Sequence, residues 1–179
     1  DMHYETRGGV EAEPLVLLHG FLGTHSQFDA IVGRLGERYR LFIPDWRGHG
    51  ETLNPAREIV HAELGRDACA FADALGLKRA HFCGYSSGGM QLLFAARERP
   101  SLFQSLTIVA ATYAFDDHAR ANVGSARGAA SPEWIAALQA EHAQAQGDAK
   151  YAHVLLDQWA GSVQRPGELA FTAADLGKI

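Results

Sequence analysis

At 179 residues, 47% hydrophobic and 21% charged, the chain has the size and balance of one globular domain, which excludes a disordered, collagen-like or coiled-coil protein. No apolar run approaches the roughly 18 residues needed to span a bilayer, and no cationic segment followed by an apolar one opens the chain. A net charge of −5 without a basic patch makes nucleic acid and membrane unexpected partners.

The first 112 residues alternate strand and helix signals. Met2 to Thr6 alternates in polarity and meets a turn at Arg7-Gly8-Gly9. Leu15–Leu18 is a short continuous apolar run, the pattern of a strand buried on both faces. Phe28, Ile31, Val32 and Leu35 follow at helical spacing, with Ser26 as the expected N-cap. Arg40–Ile43 reads as a strand stopped by Pro44. Leu64, Ala68, Phe71 and Leu75 share a helical face, and Gly76 suits the C-terminal end. Ala80–Cys83 is a strand, Ser86–Arg99 a helix stopped by Pro100, and Leu106–Ala110 a further strand. Strands separated by helices of this length imply βαβ units, hence an α/β fold with a mostly parallel sheet covered on both sides.

Residues 113–179 carry no strong strand signal. Ser131-Pro132-Glu133 starts a helix bearing Trp134, Ile135, Leu138 and His142. Asp148 caps a second helix with Tyr151, Val154, Leu155, Gln158 and Trp159, ended by Gly161, and Pro166 opens a third. The division is therefore a core over 1–112 and a helical lid over 113–179. Cys69 and Cys83 lack the spacing of a zinc site or a disulfide framework and read as small buried hydrophobes of a reducing, cytoplasmic compartment.

Chemistry concentrates in three segments. Gly84-Tyr85-Ser86-Ser87-Gly88-Gly89 fits G-x-S-x-G between a predicted strand and a predicted helix. Ser86 then sits on a strained turn, Gly84 and Gly88 let strand and helix pass closely, and the helix N-terminus supplies positive partial charge where an oxyanion forms. His19-Gly20-Phe21-Leu22-Gly23 follows the first buried strand, where Phe21 is placed to give a second backbone N–H beside that of Ser87. Asp45-Trp46-Arg47-Gly48-His49-Gly50 follows the next strand and reads as a packed loop in which Asp45 and Arg47 satisfy backbone groups and each other. No chemical step is assigned to His49.

These three motifs, in this order, resemble the α/β-hydrolase fold superfamily, closely over residues 2 to about 112 and loosely beyond. The resemblance implies a doubly wound sheet that stops after the sixth strand of that pattern, followed by a helical cap. It implies Ser86 as nucleophile, the N–H groups of Phe21 and Ser87 as the oxyanion hole, and His19 and Gly20 as supports of the oxyanion loop. It implies no cofactor and no metal. The expected reaction is cleavage of an ester-like or carbon–carbon acyl bond through an acyl-enzyme. The aromatic residues Trp134, Tyr151 and Trp159 point to a small, largely apolar substrate.

The family order of nucleophile, acid and base is incomplete in these residues. Asp116 and Asp117 are the positions where some branches place the acid. Asp175–Ile179 reads as the lead-in to a further strand, so the acid and base are expected from outside the given residues, and a preceding edge strand is expected too. Leu106–Ala110 would then be an open sheet edge, suited to self-association or to a complementary C-terminal segment. Two rival readings stay open: a non-catalytic ligand-binding or fragment protein on the same scaffold, and a cofactor-free dioxygenase or lyase of this fold.

Overall fold

The computed structural model describes residues 1–128, 131–148 and 150–179. Strands β1 (Tyr4–Arg7), β2 (Glu13–Leu18), β3 (Tyr39–Pro44), β4 (Ala80–Tyr85) and β5 (Phe103–Val109) form one sheet in the order β1-β3-β2-β4-β5. Only β1–β3 is antiparallel; β2 pairs in parallel with β3 and β4, and β4 with β5. Helices α1 (Asp29–Gly36), α2 (His61–Ala74) and α3 (Ser87–Glu98) make the crossovers.

The alternation of β2 explains why it reads as uniformly apolar. Leu15 and Leu17 pack on one face with Phe28, Leu41 and Ile43, while Val16 and Leu18 pack on the other with Phe71, Phe82 and Leu92. Successive side chains of a strand point to opposite faces, so a strand covered twice has no polar positions to spare. Each such side chain contributes about 1.5–3 kcal/mol when fully buried. Parallel pairing also brings the ends of β2, β3 and β4, and hence His19, Asp45 and Ser86, to one edge of the sheet.

Among the described residues four helices follow: α4 (Asp117–Gly128), α5 (Pro132–Gln146), α6 (Tyr151–Gln164) and α7 (Ala173–Leu176). Two apolar clusters join these helices and the segments between them to the core. Phe115, Val163, Leu169 and Phe171 meet Met90, Leu93 and Phe94 of α3, and Leu138, Tyr151, Leu155 and Leu156 meet Leu22. No helix of the described residues is long and apolar enough to cross a membrane.

Several local expectations are corrected. Thr24, not Ser26, is the cap: its hydroxyl accepts from the Ser26 N–H and starts the short 3-10 turn His25–Phe28 that precedes α1. Ile31 is 46% exposed and lies off the buried face. Helix α6 runs through Gly161 to Gln164, and Pro166 sits in a turn. Residues near Asp175 form α7, closed by a reciprocal capping box between Thr172 and Asp175. β5 begins at Phe103 rather than Leu106 and ends before Ala110, whose φ is +53°; it lies at one edge of the sheet and β1 at the other, with Ile108 and Val109 37% and 44% exposed.

Candidate active site at the turn after β4

Ser86 joins β4 to α3 with φ 51° and ψ −119°. A side-chain-bearing residue in this region costs of order 1–3 kcal/mol and persists only where its surroundings hold it. Here the Ser86 N–H donates to the Val109 carbonyl at 2.8 Å, and the Ser86 carbonyl accepts from Met90 at 3.1 Å. A Cβ on Gly84 would lie 2.5 Å from the Gly88 carbonyl carbon, and one on Gly88 would run into the Leu18 carbonyl oxygen. Both glycines are therefore demanded by close backbone passage, as the motif predicts. The Ser86 hydroxyl makes no hydrogen bond among the described residues.

The loop after β2 passes directly against this turn. A Cβ on Gly20 would stand 2.9 Å from the Tyr85 ring and 3.3 Å from the Ser86 Cβ. Neither the Phe21 N–H nor the Ser87 N–H meets an acceptor among the described residues.

Three buried histidines splint this loop. The His19 Nε2 accepts from the Trp46 N–H at 3.3 Å, which leaves the proton on Nδ1 to donate to the Gly20 carbonyl at 2.8 Å. Its ring also stacks on Trp46. Leu22 has a strained φ of 66°. Its N–H donates to the His49 Nε2 at 3.1 Å, and its carbonyl accepts from the His142 Nε2 at 3.3 Å. The His142 Nδ1 accepts in turn from the Gly50 N–H at 2.9 Å. Each ring thus works as a neutral imidazole with one donor and one acceptor. Burial lowers all three pKa values, that of His19 to about 4 and that of His49 well below its usual range. His49 and His142 are backbone braces. The sequence showed no reason to connect His142 with Leu22, because 120 residues separate them.

Asp45 accepts the backbone N–H groups of His25 and Glu51, as expected of a packed loop. Arg47 does not pair with Asp45. It forms a two-pronged pair with Asp67 of α2 at 2.5 and 2.7 Å and reaches Glu63 at 3.0 Å.

A buried acid–base set lies behind the turn. The Ser87 hydroxyl is 3.3 Å from the His61 Nε2, and the His61 Nδ1 is 2.9 Å from the Glu168 Oε1. Arg165 donates to the Glu168 Oε2 at 2.7 Å. Burial alone would raise the Glu168 pKa, but the side chain and backbone N–H of His61, together with Arg165, outweigh it and hold the carboxyl at about 2. The sequence reading missed His61 and Glu168 altogether. The set engages Ser87 and not Ser86. Asp116 and Asp117 lie elsewhere: both are exposed, and Asp116 caps α4 by accepting from the Ala119 N–H at 2.7 Å.

Aromatic rings gather beside the turn. Trp159 stacks on Phe21 with centroids 4.6 Å apart, and both Trp159 and Phe115 contact the His61 ring edge-on. A cavity of about 360 Å³ opens between Phe21, Leu22, Gln27, Trp134, Leu138 and Glu141. Tyr151 is not free to meet a ligand there, since it is buried and its hydroxyl donates to the Gly48 carbonyl at 3.0 Å.

Comparison with known proteins agrees with this architecture. A family model for the alpha/beta hydrolase fold matches residues 13–157, and the chain belongs to that family. It is 34% identical over 101 residues to 3-oxoadipate enol-lactonase 1 of Acinetobacter baylyi, covering 56% of this chain and 38% of that protein. It is 33% identical over 114 residues to a pimeloyl-[acyl-carrier protein] methyl ester esterase of Nitrosomonas europaea, covering 64% of this chain and 42% of that protein. The chain thus spans about four-tenths of the length of these relatives. Among solved structures, a bacterial membrane phospholipase A superposes with a TM-score of 0.79 at 21% identity, over 99% of this chain and 63% of that one.

Proposed function

We propose that the protein is a serine hydrolase that cleaves an ester-like or carbon–carbon acyl bond of a small, largely apolar substrate. The observation that carries this reading is the strained backbone of Ser86, whose hydroxyl meets no partner among the described residues, at a turn that the Gly20 backbone of the Phe21 loop passes closely. The Ser86 Oγ forms a bond to the substrate carbonyl carbon as its proton passes to a base. The carbonyl oxygen becomes an oxyanion and receives the Phe21 and Ser87 N–H groups, aided by the positive end of α3. Collapse expels the leaving group, which takes that proton from the base. Water then attacks the acyl carbon as the base accepts its proton, and the base returns the proton to the Ser86 Oγ as the acid departs. The histidine that takes the first proton is not among the partners of Ser86 in the described residues. Trp159, Phe21 and Phe115 offer an apolar wall for the acyl part, and the four C-terminal helices act as the cap that closes over it.

A fluorophosphonate probe followed by peptide mapping tests the reading. Labelling at Ser86 that disappears in Ser86→Ala supports it. A label that survives Ser86→Ala overturns it, as does a folded protein that carries the acid and base and stays unlabelled.

A further inference from the structure

Three segments far apart in sequence bring ligating atoms to one point outside the Ser86 turn. The His3 Nδ1 lies 2.9 Å from the Asp45 Oδ2, and the His25 Nδ1 lies 3.0 and 3.1 Å from the Asp45 Oδ1 and Oδ2. The donor atoms of all three residues fall within 4.8 Å of one another. We propose that His3, His25 and Asp45 form a binding site for a divalent transition metal of the zinc class, which clamps the residue before β1, the loop after β2 and the loop after β3 together.

The donor set is two imidazoles and one carboxylate, which suits zinc and its neighbours, whereas calcium and magnesium want oxygen alone. The spacing suits it too. Ligands about 2.0 Å from a tetrahedral ion stand roughly 3.3 Å apart, close to the distances that already separate both imidazole nitrogens from the Asp45 Oδ2. Asp45 is fixed in advance. Its side chain is fully buried, and backbone N–H groups of His25 and Glu51 hold its two oxygens at 2.7 and 3.2 Å. Gly50 leaves room for the carboxylate, since a Cβ there would collide with it. The histidine side chains are 26% and 28% exposed, so the open side of the site faces solvent and offers an entry path and a free coordination position.

A second carboxylate completes the arrangement. The His3 Nε2 faces the Glu51 Oε1 at 3.5 Å, so this ring has an acid at each nitrogen. With a metal at Nδ1 and a proton on Nε2, the ring would stand in the carboxylate–histidine–metal order that orients metal-bound imidazoles. The bookkeeping of protons is simple. Each Nδ1 gives up its proton to water as the metal bonds there, and each neutral ring regains one at Nε2.

Cobalt(II) added to the metal-stripped chain reads the site directly through its visible absorption, with zinc displacing it. One equivalent is expected to bind. His3→Ala and His25→Ala each weaken cobalt and zinc binding at least tenfold, and Glu51→Gln, which removes only the outer partner, weakens it about tenfold. Zinc raises the thermal midpoint of the wild type and leaves that of the double variant His3→Ala/His25→Ala unchanged. Both histidines are partly exposed, so the variants should keep the wild-type far-UV circular dichroism. Equal affinity in wild type and double variant would place the metal on others of the nine histidines and overturn the proposal, as would the absence of a cobalt band in the wild type.

Discussion

His61 and Glu168, 107 residues apart, form a buried pair in which one carboxylate oxygen receives both the ring Nδ1–H and the backbone N–H of the same histidine. The pair ties the start of α2 to the segment between α6 and α7, directly behind Ser87. Arg165 completes it and also reaches the Ile59 carbonyl at 2.9 Å. Removing the acid leaves the buried imidazole and the His61 N–H without their acceptor, while Arg165 keeps Glu58 and the Ile59 carbonyl. Glu168→Ala should cost about 3–5 kcal/mol in urea unfolding, and Glu168→Gln, which keeps the shape, about 1–3 kcal/mol. Equal stability of Glu168→Ala and wild type would show that the pair is only geometric.

If His61 holds Ser87, and through it the N–H beside Ser86, then His61→Ala should slow probe labelling of Ser86 in the protein that remains folded. His61→Asn or Gln, able to keep one hydrogen bond, should recover part of the rate. A labelling rate independent of residue 61 would confine His61 to a packing role.

The histidine splint sets an acid limit on stability. His19, His49 and His142 have pKa values depressed by burial, so the unfolded chain takes up protons below about 6.5 while the folded chain resists them. Stability is therefore complete above that pH and is lost as pH falls, down to about 4 for His19. The slope is about 1.4 kcal/mol per pH unit for each histidine that stays neutral. Unfolding midpoints measured from pH 7 to pH 5 should fall, and His142→Gln should remove about one proton's worth of that slope. A flat profile would mean that the rings are not locked as neutral braces.

Glycine substitutions separate close passage from open space. Gly88→Ala forces a methyl onto the Leu18 carbonyl, and neither backbone segment can yield, so a loss of more than about 4 kcal/mol or failure to fold is expected. Gly33→Ala, in α1 with nothing within 4 Å, should be neutral or stabilising by about 0.5–1 kcal/mol. Comparable effects at the two sites would contradict the packing of the elbow.

Ser86→Gly should abolish probe labelling and raise stability by about 1 kcal/mol, because glycine adopts the positive φ without strain. Chemical denaturation measures the gain. A loss of stability on this substitution would show that the Ser86 side chain, not its backbone, holds the turn.

Most of the core was legible because its signals are local. The run Leu15–Leu18, the breaker Pro44 and the sequence Gly84–Gly89 each specify their own conformation within a few residues. The loop at Asp45–Gly50 was legible as packing, but the partner of Arg47 was not, since Asp67 lies on a helix whose placement against the loop comes from the fold. Helix α4, rich in polar and small residues, gave no amphipathic stripe to find. The expected role of Pro166 failed because the chain there serves tertiary contacts: Glu168 two residues on is drawn inward by His61. Nothing in the spacing of His61, Ser87 and Glu168 announces that they meet. A buried polar trio of this kind is visible only once the elements around it are packed.

Leu22 belongs to two systems at once. Its backbone is the bent centre of the splinted loop, and its side chain is embedded among Leu138, Tyr151 and Leu155 of the outer helices. If the protein is the hydrolase proposed above, selectivity and turnover would be geared together here. Reshaping those helices to admit a bulkier guest would then tug, through Leu22, on the backbone next to Phe21.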